Sequence, residues 1–269
     1  MSKTNDESLG SIILHHVTND LNYKFLDLHL FGYDISITKH VIMLWIAAAI
    51  TVSLAIYGTR RYRKNESAQP KGISHLYEIL INFIRDDIVI PNIGISHCKF
   101  WTPLITTYFI FILTCNFLGL IPFFDLVPGG SSTVTGNFNA TAGLAMITFF
   151  AIIIAGTMKH GFLGYWKNMI PSGVPGPVLL ILIPIEILGM FVRPFALTMR
   201  LGANMTAGHI GMLAIFALPI ILTAAPVGIV SILLNTGIYF LEMIVSFVQA
   251  YVFTLLSSVF IGMAIHAEH

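Results

Sequence analysis

Residues Pro184 to Gly211 read PIEILGMFVRPFALTMRLGANMTAGHIG, a long apolar stretch that nevertheless carries Glu186, Arg193, Arg200 and His209. A charge inside hydrocarbon costs about 2.5–3.5 kcal/mol on insertion scales, so ionisable groups at membrane depth point to function. Their spacing is ordered. Glu186, Arg193 and Arg200 are seven apart, two helical turns, and Asn204 and Gly208 follow at steps of four. All five fall near one stripe of a helix. Three residues further round runs a second stripe of small side chains, Gly189, Ala196, Ala203, Ala207 and Gly211. Small residues let another helix approach closely in lipid. A polar stripe beside a smooth one suits a surface past which a charged partner moves.

Composition sets the class. Hydrophobic residues make up 56% of the 269 and charged ones 10%, against roughly 25% charged in soluble domains. With apolar runs of about 20 residues, the chain reads as an all-α polytopic membrane protein. A net charge of +1 argues against a nucleic-acid partner. Cys98 and Cys115 have no metal-ligand spacing and read as packing residues.

Taken in order, residues 1–37 are polar, lack the pattern of a cleaved signal, and read as an external amino-terminal arm. His15, His16 and His29 are scattered there without a specific role. A first span is expected over about 38–57, followed at once by Arg60, Arg61, Arg63 and Lys64. The positive-inside rule puts that cluster in the cytoplasm and the amino terminus outside. Residues 73–90 place Leu76, Ile79, Leu80, Phe83 and Ile84 on one face, an amphipathic interfacial helix that Pro91 should end. Further spans are expected over about 101–121, 141–158, 177–218 and 227–265, with an external linker at 122–140 holding Asp125. Residues 38–269 thus form one membrane domain of about five membrane helices with a cytoplasmic carboxyl terminus. The last two exceed the ~30 Å hydrocarbon core and must tilt or kink.

The last helix carries its own stripe, Asn235, Glu242 and Gln249, again seven apart. An antiparallel hairpin turning near Pro219–Pro226 brings Gln249 level with Arg200 and Glu242 level with His209. An acid and an imidazole at one depth can share a proton or pair as ions. Two aqueous routes follow. His209, Glu242, Asn204 and Asn116 line one from outside, Glu186 lines one from the cytoplasm, and Arg200 stands between. Arginine does not release its proton, which makes it a poor relay and a good barrier. It also attracts a carboxylate, by about 4 kcal/mol at 4 Å and an effective dielectric of 20.

RPFALTMRLGANMTAGH together with the downstream EMIVSFVQAYVFTLLSSVF resembles subunit a of F-type ATP synthases, the membrane stator that faces a rotating c-ring. CNFLGLIP, TGNFNAT and IGMAIHAEH look similar too, so the resemblance covers most of residues 40–269. It implies that Arg200 is the family's essential arginine, with Asn204 and Gln249 as polar neighbours. It also implies that His209 and Glu242 are an acid/histidine pair and that Glu186 belongs to the cytoplasmic half-channel. Gly119 departs from the pattern, standing where some members carry an acid, which shifts weight to Asp125, Asn116 and Glu242. The implied partners are the c-ring, peripheral-stalk b subunits, membrane lipid and protons, with sodium as the second choice of ion. No P-loop is present, so no bound nucleotide is expected; no cofactor or metal is expected either, and the chain is expected not to be an enzyme by itself. The implied location is a bacterial inner membrane.

Structural readings stand beside these. Arg193 can pair with Glu186 to stabilise the helix, and Glu242 with His209 can be a structural ion pair. Asn204, Gln249 and Asn235 can be interhelical hydrogen-bond glue. Two other function classes are an ion channel, which usually needs a symmetric ring of charges, and a secondary transporter, which needs an internal repeat. No duplication is visible here, and the span count is odd.

Overall fold

The computed structural model describes residues 24–26, 29–30, 33–34, 37–62, 69, 71–121, 133–168, 176–222 and 225–266. Four short strands come first: β1 Lys24–Leu26, β2 His29–Leu30, β3 Tyr33–Asp34 and β4 Ile37–Thr38. β1 pairs antiparallel with β4, and β2 with β3. From there to the carboxyl end the described chain is helical. The helices are α1 Lys39–Thr59, α2 Ile73–Phe83, α3 Ile90–Ile93 and α4 Ile95–Leu120, then α5 Phe138–His160, α6 Phe162–Asn168, α7 Gly176–Leu222 and α8 Ala225–Ile265. Five of these, α1, α4, α5, α7 and α8, are long and apolar enough to cross a membrane, the number expected. Hydrocarbon offers backbone groups no partner, so apolar runs of this length close their hydrogen bonds internally as helices. At 1.5 Å per residue, the 47 residues of α7 extend over ~70 Å, so a tilted path takes up the excess. His15, His16, Arg63, Lys64 and Asp125 lie outside the described residues.

One expectation needs correction. Pro91 does not end the amphipathic helix. α2 passes through a π-helical stretch, Ile84–Val89, into α3, where Pro91 is the second residue. A proline in a helix interior loses a hydrogen bond and clashes with the preceding turn. At the start of a fresh turn its missing N–H needs no partner. The helix ends instead at Gly94, whose φ of 90° lies in the left-handed region that favours glycine.

The chain clusters into two compact units. One comprises Met1–Ala49, Ile112–Phe138 and Leu201–Gln249; the other comprises Ile50–Phe111, Asn139–Arg200 and Ala250–His269. Within the first, α7 and α8 form the expected antiparallel hairpin: the Ser231 hydroxyl donates to the Ile215 carbonyl near its turn. Within the second, Ile84, Ile88, Ile93, Ile105, Phe109 and Ile261 are fully buried. Tyr108 meets Phe253 edge-on at 5.6 Å, and the Ser258 hydroxyl donates to the Ile88 carbonyl at 3.2 Å. A Cβ at Gly262 would collide with the Asn92 carbonyl, so this glycine permits close approach of α8 to α3. Cys98 and Cys115 are buried free thiols.

Candidate functional site

The first unit gathers the polar residues of three apolar helices. Asn116 on α4 is fully buried. The Thr135 hydroxyl donates to its Oδ1 at 2.6 Å, and its Nδ2 donates to the Ser246 carbonyl on α8 at 3.1 Å. Thr135 lies in a single 3₁₀ turn, Val134–Gly136, in the linker expected to be external. Val134 and Thr135 are buried rather than solvated, because this turn docks on polar groups of the helices. Thr206 on α7 completes the attachment, donating to the Gly136 carbonyl at 3.1 Å. Buried amides and hydroxyls are tolerable only when paired in this way.

One turn beyond Arg200 along α7, Asn204 Nδ2 donates to Gln249 Oε1 on α8 at 3.0 Å. Two turns beyond, the Glu242 carboxylate, 3% exposed, lies directly against Gly208. A Cβ at 208 would overlap both carboxylate oxygens. Glu242 Oε1 is buried without a hydrogen-bond partner among the described residues. The neighbouring His209 is also buried, and its Nε2 lies 3.2 Å from the Gly119 carbonyl on α4. A carbonyl only accepts, so this contact assigns the proton to Nε2 and leaves Nδ1 as the basic nitrogen. Gly119, read from sequence as the place of a missing acid, thus supplies an acceptor through its backbone. Thr133 occupies the space that a side chain at 119 would need. Asn235 is half-buried, with Oδ1 lacking a partner among the described residues, so as interhelical glue this oxygen is unused.

The second unit holds Glu186 and Arg193, both half-buried. No ion pair joins them among the described residues. The Arg193 guanidinium instead lies 5.7 Å from the centre of the Phe260 ring on α8. A cation over an aromatic face gains from the ring quadrupole, and this replaces the expected pairing with Glu186. Arg200 is the last residue of α7 in this unit and is exposed. The small residues beside the polar stripe also look outward: Ala196, Ala203 and Ala207 are exposed, and no described residue comes within 4 Å of a Cβ placed on Gly189 or Gly211.

The sequence reading missed Thr135, Thr206, Ser246 and the Gly119 carbonyl, and it put Gly208 on the polar stripe without its role as the seat of Glu242. Hydroxyls and glycines are common in membrane helices, and a backbone acceptor has no sequence signal. The one available cue was TGNFNAT, singled out as a motif but read as part of an external linker.

The family model of the ATP synthase A chain matches residues 41–262. The ATP synthase subunit a 2 of Chlorobaculum tepidum is 42% identical over 269 residues, covering 96% of this chain and 74% of that protein. Its counterpart in Chlorobium luteolum is 43% identical, covering 96% of this chain and 76% of that protein. The ATP synthase subunit a of Chloroherpeton thalassium is 40% identical, covering 95% and 77%. Matched over most of its length by the family model and by these relatives, the chain belongs to the ATP synthase A chain family, the subunit a of F-type ATP synthases.

Proposed function

We propose that this chain is the proton-conducting stator subunit of a rotary ATP synthase, with two offset half-channels separated by Arg200. The observation that carries this reading is the set of ionisable groups along α7 and α8. Glu242 is buried against Gly208, His209 is oriented by Gly119, and Arg200 is exposed beside a smooth small-residue stripe. His209, Glu242 and Asn204 line the outer route, with Asn116 in its wall, and Glu186 lines the cytoplasmic one. His209 with a basic Nδ1 and Glu242 with an unengaged oxygen can each take up a proton and pass it on. Arg200, permanently charged, stops protons running directly between the routes and attracts a carboxylate on the moving ring. The Asn204–Gln249 bond holds α7 and α8 in register one turn away.

The partners that follow are a ring of carboxylate-bearing c subunits on the exposed face of α7 and the peripheral-stalk b subunits. The ion is the proton. The chain itself binds no nucleotide, and nucleotide chemistry falls to the soluble part of the complex. In this reading the membrane is the bacterial plasma membrane. The basic residues after α1 and the carboxyl terminus lie on the cytoplasmic side, and the amino-terminal arm lies outside.

Membrane vesicles carrying Arg200→Ala test the reading. ATP-driven acidification is lost while the complex still assembles, and the passive proton leak after removal of the soluble head persists or grows. Normal pumping would demote the polar stripe of α7 to packing.

A further inference from the structure

A pocket of about 380 Å³ lies in the second unit where the end of α1, the face of α2 and the first turns of α4 meet. Its wall carries two cations, Arg85 and Lys99. Arg85 is held by two-point pairing with Asp86, Nε to Oδ1 at 2.7 Å and Nη2 to Oδ2 at 2.9 Å. Lys99 is exposed and makes no ion pair among the described residues. After Asp86 is set against Arg85, one positive charge remains. Of the threonines in the wall, Thr59, Thr102 and Thr107 each give their hydroxyl to a carbonyl four residues back. Thr106 does not. It is 4% exposed, and its hydroxyl has no hydrogen-bond partner among the described residues. A buried donor and an unpaired cation therefore line one basin.

The basin continues into an apolar groove. A second pocket, of about 520 Å³, shares Pro103 and Thr107 with the first and is walled by Phe100, Leu104, Ile147, Phe150 and Ile154 of α4 and α5. Both volumes are in the range that holds small ligands. The basin sits at the end of α1 that leads into Arg60 and Arg61, at a membrane edge, and the groove runs from it along two spanning helices. A ligand that fits both parts has an anionic head and an apolar tail.

We propose that basin and groove together hold one anionic phospholipid, its phosphate between Lys99 and Thr106 and an acyl chain along the α4–α5 groove. Pro103 favours this path. A proline cannot donate a backbone hydrogen bond, and its ring offers the chain a smooth passage from head to tail. A zwitterionic lipid carries its own cation and gains less from Lys99, so the site discriminates by head-group charge. Near a membrane surface one basic residue is worth roughly fivefold in preference for an anionic lipid.

The test uses the intact ATP synthase complex in nanodiscs of equal parts phosphatidylglycerol and phosphatidylcholine, with retained lipids counted by native mass spectrometry. The wild-type complex is expected to keep one phosphatidylglycerol, roughly fivefold enriched over phosphatidylcholine, that Lys99→Gln loses. Thr107→Trp, at an exposed residue shared by basin and groove, expels the lipid of either kind. If Thr107→Trp does not assemble, Lys99→Gln with Thr106→Val carries the test. Equal retention of both lipids by the wild type, or unchanged retention in the variants, overturns the proposal. So does a photo-crosslinker at position 107 that captures a peripheral-stalk helix, or free inorganic phosphate that displaces the bound lipid's protection of Lys99 from amine labelling.

Discussion

At position 208 the absence of a side chain has a consequence for the acid opposite. Glu242 rests where a Cβ on residue 208 would be, so Gly208→Ala must turn the carboxylate away although it removes no ionisable group. ATP-driven acidification by vesicles of that variant is expected to fall roughly tenfold or more, equivalent to ~1.4 kcal/mol on the barrier, with the complex still assembled. Adding Glu242→Asp, one methylene shorter, restores part of the rate. Unchanged pumping in Gly208→Ala would take the position of Glu242 out of the proton path. At this scale the ionisable members of the candidate site were legible, because an acid, an imidazole and a guanidinium inside apolar runs stand out. Their orientation was not. His209 is aimed by a carbonyl, and Glu242 is seated by a missing methyl.

Between elements, the turn after α1 is tied to α2 by a side-chain bond. The Tyr62 hydroxyl donates to Glu78 Oε2 at 2.7 Å, and this bond, followed by burial and the carboxylate's charge, raises the Tyr62 phenol above its ordinary value of 10.0. The sign follows from linkage. A raised folded-state value means that the contribution is complete below the ordinary value and is lost as pH rises through the raised one. In a tyrosinate absorbance titration of the complex, Tyr62→Phe should delete a late-titrating phenol, and Glu78→Gln should bring it earlier. A titration of the Tyr62 phenol that does not move in Glu78→Gln would mean that the bond does not form. The apolar periodicity of residues 73–90 was enough to announce an amphipathic helix. It was silent on the π-helical stretch and on Gly94 as the true terminus. Those depend on how Ile84, Ile88 and Val89 are drawn into the core of their unit while Leu76 and Ile79 stay exposed.

For the whole molecule, the outward small-residue stripe bears directly on assembly. No described residue comes within 4 Å of a Cβ placed on Gly189, so Gly189→Val should leave the chain's own fold intact. If the ring of the proposed complex packs there, the same change overpacks that contact, at about 1–3 kcal/mol. Co-isolation of the ring with this subunit is then expected to fall, along with pumping, while the subunit still inserts in the membrane. Full retention of the ring would place the contact elsewhere.

The sequence by itself determined the all-α membrane class, the number of spanning helices, the hairpin of the last two and the polar stripes on them. Those features follow from apolar length, helical period and the cost of charge in hydrocarbon, all of which are local. Only the tertiary structure decided how each helix is rotated. It put Arg200 and the alanines outward, laid Arg193 on Phe260 rather than Glu186, and drew the Thr135 turn down onto Asn116. The physical reason is that lipid and protein interior are equally apolar, so burial leaves little hydrophobic signature within a membrane helix. What distinguishes the two is close packing and hydrogen bonding to residues far away in the chain.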